Sequence, residues 1–288
     1  MLIPEFLLSN PKLTDNFVTG SPTSRGLFFS ELLTLAGSNL ALAHSVFKTS
    51  ACRTVLTVAD LNDMSADTIG SFSVHKPYDT VKIVNGKLYG NKHWITNATN
   101  ASVAIVQIMH EGNIVLCKTT LPPDRTQFLV SPGMMNSNTF DVTFNGESAD
   151  VLFTKTSEQY FIPSKHNTLC FVTNHLGAVT GLLPHMHEVS DFEFRLRDLK
   201  TILLNDVSTT DTHIKSSDEF WHRRNKLYLE SKQLLVNTLQ RIIEYNAGAF
   251  YGLNNMQGQH FFNCLTYSGH NGPIQNNYKQ LVTEPQDY

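Results

Sequence analysis

The sequence predicts an α+β fold: a helical N-terminal segment, a central antiparallel β-barrel or sandwich, and a C-terminal helical bundle. Three observations predict it. Apolar residues repeat with helical spacing at both ends of the chain, short β-rich runs split by turn residues fill the middle, and Asn85-Gly86 joins two alternating runs. These zones divide the chain at 1–64, 65–163 and 164–288.

Near the N-terminus, Phe28, Leu32, Leu35, Ala36, Leu40, Ala43 and Phe47 form the i, i+3, i+4 stripe of one amphipathic helix over 26–48, with Pro22 and Ser24 ahead of it as a start. Strands are expected at 81–84, 87–92, 102–109, 113–117, 127–130, 139–144 and 149–153. Asn-Gly between alternating apolar runs is the strongest short-range hairpin signal. Gly112-Asn113, Pro122-Pro123 and Pro132-Gly133 punctuate the other runs. Helical spacing resumes at Leu169, Val172, Leu176, Val179, Leu183 and Met186, where Gly177 and Gly181 would let a neighbouring helix approach closely and Pro184 would kink or end the helix. A further helix is expected at 192–204. Ser216-Ser217-Asp218-Glu219 reads as a capping box opening the longest helix, which buries Trp221, Tyr228, Leu235, Leu239 and Ile242. A short helix at 257–266 precedes an Asn-rich tail.

The 288 residues are 41% hydrophobic and 16% charged, enough for one large domain or two modest ones with a sizeable core. A net charge of -3 creates no basic field to attract nucleic acid or anionic membrane. No apolar run approaches the ~20 residues of a spanning helix, and the first residues lack a signal-peptide pattern. A cytoplasmic protein with no nucleic-acid partner and no membrane insertion is expected. Cys52, Cys117, Cys170 and Cys264 are too scattered for zinc ligation or a disulfide framework and are expected to be reduced. Among twelve histidines, His185 and His187 diverge on a helix, and no H-E-x-x-H or facial triad occurs, so no metal is expected.

The run Gly90-Asn91-Lys92-His93-Trp94-Ile95-Thr96-Asn97-Ala98 closely resembles the G-x-K-x-(W/F)-I-(T/S)-N-A strand of acyl-CoA dehydrogenases. Upstream, Ser65-Ala66-Asp67-Thr68-Ile69-Gly70-Ser71-Phe72 resembles the family's T-E-x-x-A-G-S-D strand, with Ala66 and Phe72 in place of Glu and Asp. Residues 139–153 resemble the strand pair closing its β-domain, and 175–181 the small-residue helix beginning its bundle. The resemblance covers roughly 28–250, with its specific motifs between 65 and 104. It implies an acyl-CoA dehydrogenase-like fold and an FAD site in which Trp94 packs on the isoalloxazine and Ile95 and Thr96 meet its polar edge. Ser65 would bond the ring, and Gly70 and Ser71 would meet the pyrophosphate. It further implies α,β-dehydrogenation of an acyl-CoA or other acyl thioester, with hydride transfer to flavin N5, and a homo-oligomer or heteromer formed through the C-terminal bundle. From its residues alone, the same run also reads as an ordinary buried strand with a Trp filling the core.

Departures from the family pattern bear on activity. Its first helices, its Q-x-x-G-G loop and its E-G-T catalytic loop have no counterpart; Glu284 comes late enough for a base, but its surroundings do not match, and no base is assigned. Reduced or lost activity is therefore part of the expectation. Flavin-dependent monooxygenases of the same fold use a bundle histidine, for which His270 is the candidate. A third reading is an inactive subunit or scaffold paralogue.

Overall fold

The computed structural model describes residues 20–61, 64–65, 68–122, 127–128, 134–208, 218–246 and 256–268. The stripe expected to form one helix forms two, α1 (Pro22–Ser38) and α2 (Leu40–Val58). Ser21 caps α1 by accepting from Ser24 N–H at 3.1 Å, with Pro22 in its first turn. The break is at Asn39, whose extended backbone (φ −149°) ends α1 and whose side chain accepts from Leu42 N–H at 3.1 Å to cap α2. One asparagine thus divides a continuous apolar stripe between two helices.

Among the described residues eight strands follow: β1 (Gly70–Ser73), β2 (Lys82–Val84), β3 (Lys87–Ile95), β4 (Val103–His110), β5 (Asn113–Thr119), β6 (Gln127–Phe128), β7 (Phe140–Ser148) and β8 (Asp150–Thr154). The β2–β3 hairpin pairs Val84 with Lys87 across Asn85 and Gly86, both at positive φ (51° and 71°), the two-residue turn whose twist matches the strands. The strands form two four-stranded sheets, ordered β1-β4-β5-β8 and β2-β3-β7-β6. Leu88, Ile95, Val142 and Phe144 of one sheet pack with Val106, Ile108, Val115 and Cys117 of the other in a buried apolar inter-sheet core. Of the barrel and the sandwich expected, the described strands form two facing sheets and no closed barrel. The antiparallel expectation is also incomplete, because β1 joins β4 in parallel. That pairing lets β1 turn its wholly buried residues toward α2.

The C-terminal part comprises α3 (Glu158–Leu182), α4 (Ser190–Ser208), α5 (Asp218–Asn246) and α6 (Met256–Ser268). Pro184 sits in a 3-10 turn just beyond α3, ending the helix as its missing N–H requires. Helices α2 and α3 run through the centre of the molecule, buried along almost their whole length. Gly177 and Gly181, expected to let a neighbouring helix approach closely, face α1 of the same chain. A Cβ on Gly177 would lie 2.5 Å from the Ala36 Cβ and 2.6 Å from the Leu33 carbonyl, and one on Gly181 would run into the Gly37 carbonyl. The two glycines exist to let α1 seat on α3. All four cysteines are free and buried. Among the described residues, no helix is long and apolar enough to cross a membrane, and no cluster of three His, Cys, Asp or Glu side chains is placed to hold a metal.

Candidate functional site

Strand β3 carries the expected motif, and two carboxylates shape its end. Asp79, from the loop before β2, accepts from His93 N–H at 3.0 Å and from Lys76 N–H at 2.7 Å, and pairs with the Lys92 ammonium at 2.5 Å. Lys92 also donates to the Val74 carbonyl at 2.6 Å. Both side chains of this ion pair are fully excluded from solvent. Burial, partly offset by Asp79, brings the Lys92 pKa down to about 8. Asp141 of β7 accepts from Trp94 N–H at 3.1 Å and pairs with His93 Nδ1 at 2.7 Å. Between these anchors the β3–β7 register shifts, and Trp94 takes a left-handed backbone (φ 61°). A non-glycine residue holds that conformation only where its surroundings compel it. The resulting bulge aims the side chains of 94–96 differently from a regular strand.

Thr96 follows the bulge and is 2% exposed. Its hydroxyl lies 3.2 Å from His44 Nε2 of α2 and 3.1 Å from the Thr139 hydroxyl. Thr139 in turn lies 2.8 Å from the Ser137 hydroxyl, which donates to the Met134 carbonyl at 2.6 Å. Next along the chain, Asn97 donates through Nδ2 to the carbonyls of Ser45 (2.9 Å) and Gly70 (3.0 Å), while its buried Oδ1 has no hydrogen-bond partner. Phe47, Phe171 and Tyr267 close over His44, with ring centroids 5.0–6.1 Å away. The Thr96 neighbourhood is thus a seam where α2, α3, α6 and the ends of β3 and β7 meet.

The expected site residues separate into two groups. Trp94, Ile95 and Thr96 stand together at the bulge, Ile95 within the inter-sheet core and Trp94 half-buried. Ser71 is buried with its hydroxyl donating to the Thr96 carbonyl at 2.6 Å, so it braces the strand from behind. The close approach that Gly70 permits is made by helix α2: a Cβ there would meet Cys52 Cβ and Sγ at 2.8 Å. Ser65 lies exposed, bonded to the Thr68 hydroxyl at 2.6 Å, its carbonyl accepting from Arg53 at 2.8 Å. His270 and Glu284 lie outside the described residues.

Toward a flavin ring edge, the chemistry these residues offer is hydrogen-bond acceptance. Thr96 retains an acceptor lone pair beyond its two contacts, and Asn97 Oδ1 is a second buried acceptor lacking a donor. The space at Gly70 is filled by the chain itself. His44, Asn97, Ser137, Thr139, Asp79 and Asp141 were not singled out from sequence. A histidine inside an apolar helical stripe reads as core, and only tertiary packing brings His44 to Thr96, 52 residues away.

A second buried polar group lies nearby, between α2 and α3. Lys48 donates to Asn167 Oδ1 at 3.4 Å and sits 4.4 and 5.0 Å from the ring centroids of Phe47 and Phe171. Burial holds its pKa well below the ordinary lysine value. His166, bonded to the Ser50 hydroxyl at 2.9 Å, is wholly buried, which pushes its pKa down to about 3.

No family model and no curated protein matches the sequence. The structure, in contrast, resembles several solved ones. The glutaryl-coenzyme A dehydrogenase glutaryl-CoA complex superposes with a TM-score of 0.72 at 12% identity, over 91% of this chain and 78% of that one. KijD3 in complex with FMN and a dTDP-linked amino-keto sugar gives 0.68 at 12% identity, over 94% and 82%. The HsaA monooxygenase from M. tuberculosis gives 0.67 at 10% identity, over 89% and 82%. The order of helices, paired sheets and helical bundle, with the W-I-T strand at their junction, is therefore the acyl-CoA dehydrogenase fold, which this chain adopts in a divergent form.

Proposed function

We propose that the protein is a flavin-dependent oxidoreductase in which Trp94, Ile95 and Thr96 hold the ring of FAD or FMN. The observation that carries this reading is the pinned bulge of β3, which delivers Trp94 and the Thr96 hydroxyl to the seam between sheets and helices. A bound flavin would supply the electron transfer, and the chain would supply orientation and polar contacts. Asp79 and Asp141 hold the strand against the ring, and Ser71 fixes the Thr96 backbone. Gly70 and Ser71 then belong to the framework behind the ring, and Ser65 stays at the outer end of the same loop.

Of the reactions this fold supports, oxygenation of an organic substrate by reduced flavin agrees better with the site. The titratable side chain touching Thr96 is a histidine, His44, and no carboxylate among the described residues hydrogen-bonds to that hydroxyl. Dehydrogenation of an acyl-CoA or other acyl thioester is the second reading. It rests on the W-I-T-N-A wording and on the likeness to glutaryl-CoA dehydrogenase, and it needs a carboxylate base. Assembly as a homo-oligomer or heteromer would use the exposed Phe194, Leu204, Ile243 and Tyr245 of α4 and α5.

The test is flavin titration of the purified protein. An absorbance spectrum with flavin bands, and weaker binding in Trp94→Ala and Thr96→Ala, are the expected results. A colourless protein that gives no titration signal with FAD or FMN overturns both flavoenzyme readings and leaves the scaffold. Bleaching by acyl-CoA without oxygen selects dehydrogenation; oxygen-dependent turnover of reduced flavin without such bleaching selects oxygenation.

A further inference from the structure

We infer that Lys76 and Lys48 form an anion-binding site entered from the loop between β1 and β2, and that the substrate is an organic acid whose carboxylate docks there. The role as a substrate site rests on the flavin placement proposed above; the anion chemistry stands on the lysines themselves. Lys48 lies one turn beyond His44 on the same face of α2, ~6 Å along the helix. The same rings touch both residues. Phe47 and Phe171 stand 5.0 and 6.1 Å from the His44 ring, and 4.4 and 5.0 Å from the Lys48 ammonium, with Phe72 of β1 at 5.5 Å. Because His44 meets the Thr96 hydroxyl at 3.2 Å, an acid held at Lys48 has its body within reach of the ring edge.

The Lys48 ammonium is poorly served where it stands. It has three protons to place, and among the described residues its hydrogen bond is the 3.4 Å contact with Asn167 Oδ1, longer than an ordinary N–H···O bond. The aromatic faces supply part of the remaining stabilisation. The ionisable groups acting on it include no carboxylate. Burial foremost, and then the charges of Lys76 and Lys92, hold its pKa well below the ordinary lysine value, while Cys170 is a neutral thiol whose own pKa burial raises. Three lysines thus converge here. Asp79 is paired with Lys92 at 2.5 Å and opposes the effect of burial on Lys76. Like charges withdrawn from water repel one another, and an oxyanion arriving among them offsets that repulsion. Access is from the loop, where His75 and Lys76 are half-exposed and Tyr78 is 53% exposed. Lys76 meets solvent, and Lys48 lies behind it on a four-carbon stem that lets the ammonium swing from the rings to an anion. A substrate carboxylate suits this position better than the phosphate of a flavin, which the ribityl chain carries away from the ring edge.

The experiment is calorimetric titration of the purified protein with sodium benzoate and with benzamide, its neutral isostere. Benzoate is expected to bind about tenfold or more tightly than benzamide, and added salt should weaken benzoate alone. Lys76→Met and Lys48→Met keep an apolar stem, and each should weaken benzoate about tenfold or more while leaving benzamide unmoved. Thermal melts establish that each variant is folded; loss of a buried charge should leave Lys48→Met at least as stable as the parent. No benzoate binding, equal affinity for benzoate and benzamide, or undiminished benzoate binding in both folded variants overturns the inference while leaving the flavin site standing. Displacement of benzoate by FMN but not by riboflavin assigns the lysines to the flavin phosphate and overturns the substrate role. Benzoate binding by a protein that takes up neither FAD nor FMN overturns the flavin reading, and the substrate role with it, while the anion site remains.

Discussion

Replacing Asp79 by alanine should be the most informative single perturbation of this fold. Asp79 and Lys92 are both shielded completely from water, and the carboxylate also accepts the backbone N–H groups of Lys76 and His93. Its removal leaves the Lys92 ammonium with one neutral partner, the Val74 carbonyl. Breaking a buried pair from one side costs about 3–5 kcal/mol, most of it the uncompensated charge. At ~2–4 °C per kcal/mol for a chain somewhat smaller than this one, the melting temperature should fall by roughly 10 °C. The double variant Asp79→Ala/Lys92→Met removes that charge and should recover a large part of the loss, giving a coupling energy of ~2 kcal/mol or more in a denaturation cycle. The pH dependence supplies an independent check. Lys92 titrates near 8 in the folded protein and at the ordinary lysine value of 10.5 when unfolded, so between these values the unfolded chain binds more protons. Stability from this group is full above 10.5 and is lost as pH falls to 8, a change of ~3 kcal/mol. Urea midpoints measured across that window should show this slope in the parent protein and not in Lys92→Met. Additive single-variant effects, or an identical pH slope in the absence of Lys92, would refute the account of a stressed buried pair.

Two further outcomes follow from the packing. Gly177→Ala should destabilise by about 1–3 kcal/mol or more, because the added methyl meets the Ala36 Cβ and the Leu33 carbonyl within 2.6 Å and α1 must move as a unit; a thermal melt unchanged from the parent would show that α1 is not seated there. His166 has its pKa depressed to about 3 by burial, so its contribution to stability is full above its ordinary value near 6.5 and is lost as pH falls toward 3. His166→Gln should therefore lower the dependence of denaturation midpoints on pH between 6.5 and 4, and an unaltered acid limb would assign that sensitivity to other groups.

Much of the architecture was legible because its signals are local. Asn85-Gly86 demanded a hairpin, and β2 and β3 pair around it in the register such a turn imposes. Of the apolar stripe expected from Leu169 to Met186, the part up to Val179 lies in α3, and the helices expected at 192–204 and 257–266 are α4 and α6 with ends a few residues longer. What failed was non-local. The split at Asn39 depends on its side chain capping the following helix, a choice that the apolar periodicity on either side masks. The choice between barrel and sandwich stayed open in the sequence because strand spacing along the chain carries no information about sheet closure. The parallel β1–β4 pair is also invisible locally, since it joins residues 33 positions apart.

By itself the sequence determined the W-I-T strand, the helix–sheet–helix order and the net charge of -3, all of which follow from side-chain type and short-range spacing. Tertiary structure alone decided what that strand can do. Gly70 became a seat for Cys52, the Gly177/Gly181 face was taken by α1, and His44, Thr139 and Ser137 were gathered around Thr96 from two separate segments. A threonine in a motif carries a hydroxyl of unspecified polarity. Whether it donates or accepts is set by which neighbour takes its single proton, and only the folded chain supplies the neighbours.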